Sequence, residues 1–110
     1  MGTKSWRSQI TERLRLEARI TTTKGQVDEV GLQLVGYVEN EWVQLVHYDN
    51  AHGPCHRHTS HPDGSESMHD FVAMLTPTFL DLAQQDLQKS AERYLDDYER
   101  ESWNMGRGQR

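Results

Sequence analysis

From residue 13 to residue 20 the chain alternates without a fault: Leu14, Leu16, Ala18 and Ile20 fall on one side, Arg13, Arg15, Glu17 and Arg19 on the other. Period two belongs to a strand with one buried face, and here the outer face carries three arginines. Wound as a helix, the same residues would scatter their apolar side chains around the axis. The polar stretch 21–26, which contains Gly25, supplies a turn. A second alternation from Val27 to Val38 puts Val30, Leu32, Leu34, Gly36 and Val38 on one side. Asn40 and Glu41 interrupt it, and residues 42–48, rich in β-branched and aromatic residues, read as a third strand. Runs joined by such short turns make hairpins. Between Gly53-Pro54 and Pro62-Asp63-Gly64 there is room for one more short strand, near residues 55–59.

The period changes after residue 76. Leu80, Ala83, Leu87, Ala91, Tyr94 and Tyr98 recur at spacings of three and four, the stripe of an amphipathic helix. Thr76-Pro77 looks like its start, with a hydroxyl at the N-cap and proline at the first helical position. One helix over about residues 77–101 would be roughly 35–40 Å long, so its last turns, 96–101, are expected to overhang the sheet or meet a partner. Residues 103–110 contain glycine and arginine and are expected to form a disordered tail. The expectation is a single α+β domain over residues 1–102. It would be an antiparallel β-meander of three to four strands with one long C-terminal α-helix across it. Trp6 would pack at the sheet edge, Tyr37 and Trp42 as a cross-strand pair, and Met68 and Met74 around the helix entry.

With 35% hydrophobic residues and a mean hydropathy of -0.87, the core must be thin. No run approaches the roughly 20 apolar residues of a membrane span, and the N-terminal residues lack the apolar stretch of a signal peptide, so a cytoplasmic location is expected. The single cysteine, Cys55, excludes an internal disulfide. The net charge of -5 is divided unevenly. Residues 1–26 carry six basic and two acidic side chains, against six basic and fifteen acidic in the remainder. Phosphate binding would therefore be local, and Arg13, Arg15 and Arg19 are the candidate RNA-binding residues.

All six histidines fall between His47 and His69. Three readings fit such a cluster. One is a zinc or other transition-metal site: His56 and His58, two apart on a strand, would share a face, with His52, His61, Asp49 or Asp63 completing the set. A Gly…His-x-His pattern is also a cupin feature, but the cupin acidic ligand and distant third histidine are missing here. The second reading is metal-free acid–base chemistry on RNA, with no cofactor. Histidine can take and give the protons and arginine can grip the phosphate, so His52, His56, Arg57, Tyr48 and Asp49 are the candidate catalytic residues. Because Arg57 alternates with His56 and His58, a bulge would be needed to bring them together. The third reading is structural, with histidines pairing to carboxylates and backbone or serving a protein partner. Cys55, beside the cluster, reads as an inert thiol.

The run Trp42-Val43-Gln44-Leu45-Val46-His47-Tyr48-Asp49-Asn50-Ala51-His52-Gly53, followed by His56-Arg57 and His61-Pro62-Asp63-Gly64, resembles a pattern in small prokaryotic proteins that include TumE-like toxins of toxin–antitoxin pairs. The likeness covers residues 40–66. Many relatives have an aspartate after the His-Arg pair, where this chain has His58. The resemblance implies a compact sheet-plus-helix domain of the ribonuclease-toxin kind beside an antitoxin, with Tyr48, Asp49, His52, His56 and Arg57 as its site. The expected function is a toxin-like, metal-independent ribonuclease. The alternatives are an accessory subunit that docks an antitoxin or a larger complex through its C-terminal helix, and a metal-binding protein.

Overall fold

The structure, a computed structural model, describes residues 2–50, 54–71 and 75–108. In chain order these form β1 Gly2–Thr11, β2 Leu14–Thr23, β3 Gln26–Val38, β4 Glu41–Asp49, β5 Cys55–Ser60, β6 Glu66–Phe71, α1 Thr76–Lys89 and α2 Ala91–Gly108. The strands make one sheet in the order β1-β2-β3-β4-β5-β6, each antiparallel to its sequence neighbours. Both helices pack on the same face.

The expectation of three to four strands and one long helix is therefore wrong: the described residues form six strands and two helices. β1 was missed because only Trp6 and Ile10 of its residues pack on the core, both partly buried. β6 is nearly all exposed, so it has no apolar alternation to read. Met68, expected to pack, lies on β6 and is exposed. The helix breaks at Ser90 (φ -106, ψ 9), whose N–H still donates to the Asp86 carbonyl at 2.8 Å. The buried stripe explains the break. Phe79, Ala83, Leu87, Ala91 and Leu95 are all spaced by four. That spacing drifts about 40° around a straight helix at every step, and a change of direction at Ser90 brings the stripe back to the sheet. Thr76 is not the cap: Leu75 occupies that position and makes no side-chain cap bond, while Pro77 sits in the first turn as expected. α2 runs past the expected end at residue 101 and takes in residues 103–108 of the expected tail. Its later turns are tied to the sheet rather than overhanging it: Glu99 accepts from Arg13 at 2.6 Å, Glu101 meets His61 at 2.8 Å and Ser102 donates to Glu39 at 3.4 Å.

The core is the helix-side face of the strands. Leu14, Leu16 and Ala18 of β2, Val30, Leu32 and Leu34 of β3, and Leu45, Val46 and Tyr48 of β4 meet the helix stripe. The β3–β4 register skips Leu45, so a bulge turns both Leu45 and Val46 inward. At Gly36 a Cβ would stand 2.8 Å from Leu45 Cδ1 and 3.0 Å from Leu95 Cδ1, so the missing side chain is what lets α2 lie close to β3. The β3–β4 turn places Glu39 (φ 49) and Asn40 (φ 68) in the left-handed region, the two-residue turn that matches strand twist.

Candidate functional site on the open face

Among the described residues no helix covers the other face of the sheet, and the strand pleat decides what stands on it. His47 pairs with His58 across β4 and β5, and Asp49 pairs with His56. On one side β6 adds Asp70 opposite His56 and Met68 opposite His58. On the other, β3 sets Gln33 opposite His47 and Gly31 opposite Asp49. β2 then sets Glu17 opposite Gln33 and Arg19 opposite Gly31. Two transverse rows result, Arg19–Gly31–Asp49–His56–Asp70 and Glu17–Gln33–His47–His58–Met68, all on the open face.

Within these rows the side chains form one polar network. Asp49 Oδ2 lies 3.5 Å from His47 Nδ1 and 3.9 Å from His58 Nε2. Glu66 holds the other ring nitrogen of His58 at 3.3 Å, and Asp70 meets His56 Nδ1 at 2.7 Å. The His47 and His58 rings stack with centroids 5.8 Å apart. Burial pushes the His47 pKa below its ordinary value and outweighs the opposing pull of Asp49, so this imidazole is neutral at pH 7. Beside it lies a depression of about 450 Å³ lined by Arg19, Thr21, Glu29, Gly31, His47 and Asp49. It continues toward Glu17, Gln33 and Gln44. Its floor is open because residue 31 has no side chain: a Cβ there would find only the Arg19 carbonyl oxygen, at 3.8 Å.

The residues expected to be catalytic divide between the two faces. Asp49 and His56 belong to the open face. Tyr48 and Arg57 belong to the helix side, because β5 keeps an unbroken register with β6 from Cys55 to Ser60 and the bulge that would join Arg57 to His56 does not form. The Tyr48 hydroxyl donates to Asp86 Oδ2 at 2.6 Å, and Tyr94 donates to the same oxygen. Burial first and that bond second hold the Tyr48 phenol well above its ordinary pKa, while Arg57 hydrogen-bonds its oxygen. Arg57 is therefore a partner of Tyr48 between sheet and helices and not a phosphate clamp for His56. His52 lies outside the described residues.

The proposed metal set separates too. His56 and His58 share the open face, whereas His61 bonds Glu101 of α2 and Ser67. Among the described residues no group of three or more His, Cys, Asp or Glu side chains has the geometry to hold a metal ion. Of the three arginines, Arg13 lies in the β1–β2 turn and spends its guanidinium on the Tyr37 carbonyl and Glu99. Arg15 lies 3.9 Å above the Trp42 ring, and Arg19 stands exposed at the depression. Two members of the site, His47 and Gly31, were not singled out from the sequence. The two-residue spacing of His47 and Asp49 on a strand was the available signal for the first. Asn50, from the resembling motif, is structural: its carbonyl oxygen accepts the Val30 N–H at 2.8 Å and its amide donates to the Asp28 carbonyl at 3.1 Å.

A family model described as a domain of unknown function, DUF7718, matches residues 1–104, which spans every strand, α1 and most of α2. The chain belongs to the DUF7718 family. No curated protein and no solved structure matches it. No helix among the described residues of this DUF7718 protein is long and apolar enough to cross a membrane.

Proposed function

We propose that this DUF7718 protein is a toxin-like cytoplasmic ribonuclease that works without a metal, through the open face of its sheet. Arg19 grips the scissile phosphate over Gly31, where a planar guanidinium meets two phosphate oxygens. His47 takes the 2′-hydroxyl proton, the 2′-oxygen attacks phosphorus, and the bond to the 5′-oxygen breaks. His58, flanked by Asp49 and Glu66, delivers the proton to that leaving oxygen, and the product ends in a 2′,3′-cyclic phosphate. Arg19 and His47 thus take the parts of clamp and base that the sequence pattern suggested for Arg57 and for His56 or His52. The observation that carries the proposal is the adjacency of a neutral histidine, its carboxylate partner and an exposed arginine around a depression with an empty floor. The likeness of residues 40–66 to TumE-like toxins points the same way.

The test is cleavage of a mixed RNA in EDTA by the wild type, His47→Ala and Gly31→Val. Valine at 31 fills the depression from a backbone position with room for its Cβ, so the variant should fold and fail to cleave. Wild-type RNA left intact, or cleavage undiminished in both variants, would remove the proposal. A second reading, a partner-binding subunit, is favoured by the exposed Trp103 and Met105 near the end of α2. Its signature is a stable complex lost on Trp103→Ala and retained in His47→Ala.

A further inference from the structure

Trp42 is a large aromatic side chain on the open face, 40% exposed, and the acid–base chemistry above does not use it. It pairs with Tyr37 across β3 and β4, the rings stacked 18° from parallel with centroids 5.4 Å apart. From β2, Arg15 reaches over it, the guanidinium carbon 3.9 Å from the ring centroid. In this pose Arg15 Nε is buried without a hydrogen-bond partner; the nearest carboxylate, Glu17, is 4.0 Å away and already engaged by Arg7 at 3.0 Å and by the Gln33 amide at 2.7 Å. A buried donor left unpaired carries a cost that a phosphate can remove. Arg15 and Arg19 project from the same face of β2, four residues or about 13 Å apart, so an extended chain along β2 meets both.

We infer that the open face binds single-stranded RNA along β2, with Arg15 leaving Trp42 to take a phosphate and a base stacking on the uncovered indole; this rests on the premise that the face acts on RNA. Charge favours this path. Arg7, Arg15 and Arg19 stand on the β1–β2 side, where Glu17 between them is paired with Arg7, whereas Asp49, Glu66 and Asp70 stand on β4–β6 and turn a phosphate chain away. Stacking on indole and guanidinium planes is how unpaired bases are held, and a duplex, its bases already stacked, has none to offer.

The experiment uses a 2′-O-methyl oligoribonucleotide, which binds but cannot be cleaved, and the same sequence as a duplex. The protein carries Trp6→Phe and Trp103→Phe so that Trp42 alone reports by fluorescence. The expected results are quenching on titration with the single strand, binding at least tenfold weaker for the duplex, and a loss of about tenfold or more in Trp42→Leu, which keeps apolar bulk at the position and whose affinity is read from the anisotropy of an end-labelled oligonucleotide. Circular dichroism checks that Trp42→Leu is folded. Equal affinity for the duplex, no quenching, or unchanged affinity in folded Trp42→Leu would each overturn the inference. The two proposals fail separately. Trp42-dependent binding by a wild type that cleaves nothing removes the nuclease, and cleavage with unaltered KM in Trp42→Leu removes the stacking site.

Discussion

Replacing Asp86 with alanine tests whether the Tyr48–Asp86–Tyr94 cluster holds the helices to the sheet. Both phenols donate to one carboxylate oxygen, at 2.6 Å from Tyr48. A hydrogen bond to a charged group contributes about 1.5–3 kcal/mol. Tyr48 is 1% exposed, and removing Asp86 takes away the acceptor of its hydroxyl, so about 2 kcal/mol of that range applies. Tyr94 is only partly buried and recovers a solvent bond, which limits its share to about 1 kcal/mol. The expected cost is about 3 kcal/mol. With a urea slope of about 1.5 kcal/mol per molar, the unfolding midpoint should fall by about 2 M. Asp86→Asn, which keeps an acceptor without the charge, should lose roughly half as much. Tyr48→Phe and Asp86→Ala together should cost less than the sum of the two alone, since they break the same bond. A midpoint shift below about 0.5 M in Asp86→Ala, or strict additivity in the double variant, would refute the reasoning. RNA cleavage by Tyr48→Phe at temperatures where it stays folded should match the wild type, because Tyr48 faces away from the open side.

Gly36→Ala should cost about 1–3 kcal/mol, since its Cβ would press on Leu45 and Leu95, both buried; an unchanged thermal midpoint would mean α2 is not packed against β3 there. Burial first raises the phenols of Tyr48, Tyr94 and Tyr98, so in the folded protein they keep their protons above about pH 10, where the unfolded chain loses them. The stability they contribute is complete below about pH 10 and is lost as pH rises through the folded values; urea melts between pH 9 and about 11.5 should show the decline, shallower in Tyr48→Phe, and a flat profile would contradict it. His47 has a lowered pKa, chiefly from burial, so its contribution is present above its unfolded value of 6.5 and is lost as pH falls through the lower folded value. A ring titration followed by NMR should give a midpoint below 6.5, and one at or above 6.5 would dispose of the neutral base.

β2 and β3 could be read directly because each buries one face, and alternation is what a half-buried strand writes into a sequence. β6 writes little, since all its residues but Phe71 are exposed, and β1 writes little with Trp6 and Ile10 as its apolar anchors. The break at Ser90 escaped notice because the apolar stripe runs through it. At the site, the parity of His56, Arg57 and His58 already forecast opposite faces, and an unbroken β5 delivered them. Asp86 lies 38 residues from Tyr48, and no local pattern joins them. Gly31 matters through what it lacks, and a row of alternating residues does not advertise a gap. His47 lies on a strand rich in β-branched and aromatic residues, and only the β4–β5 register shows its stacking on His58.

A sheet whose strands pair strictly in sequence, with its cover at the C-terminal end, has a consequence for the newborn chain. Neighbouring strands can zip in microseconds as they leave the ribosome. Tyr48 precedes Leu95 by 47 residues, so at 5–20 residues per second the cover arrives roughly two to ten seconds after the last large core strand. During that interval Leu14, Leu16, Leu32, Leu34, Leu45 and Val46 present a bare apolar surface, the kind of surface that nascent-chain chaperones grip. Translation stopped before Phe79 would leave that surface bare for good, and such a fragment should aggregate however well its strands are paired.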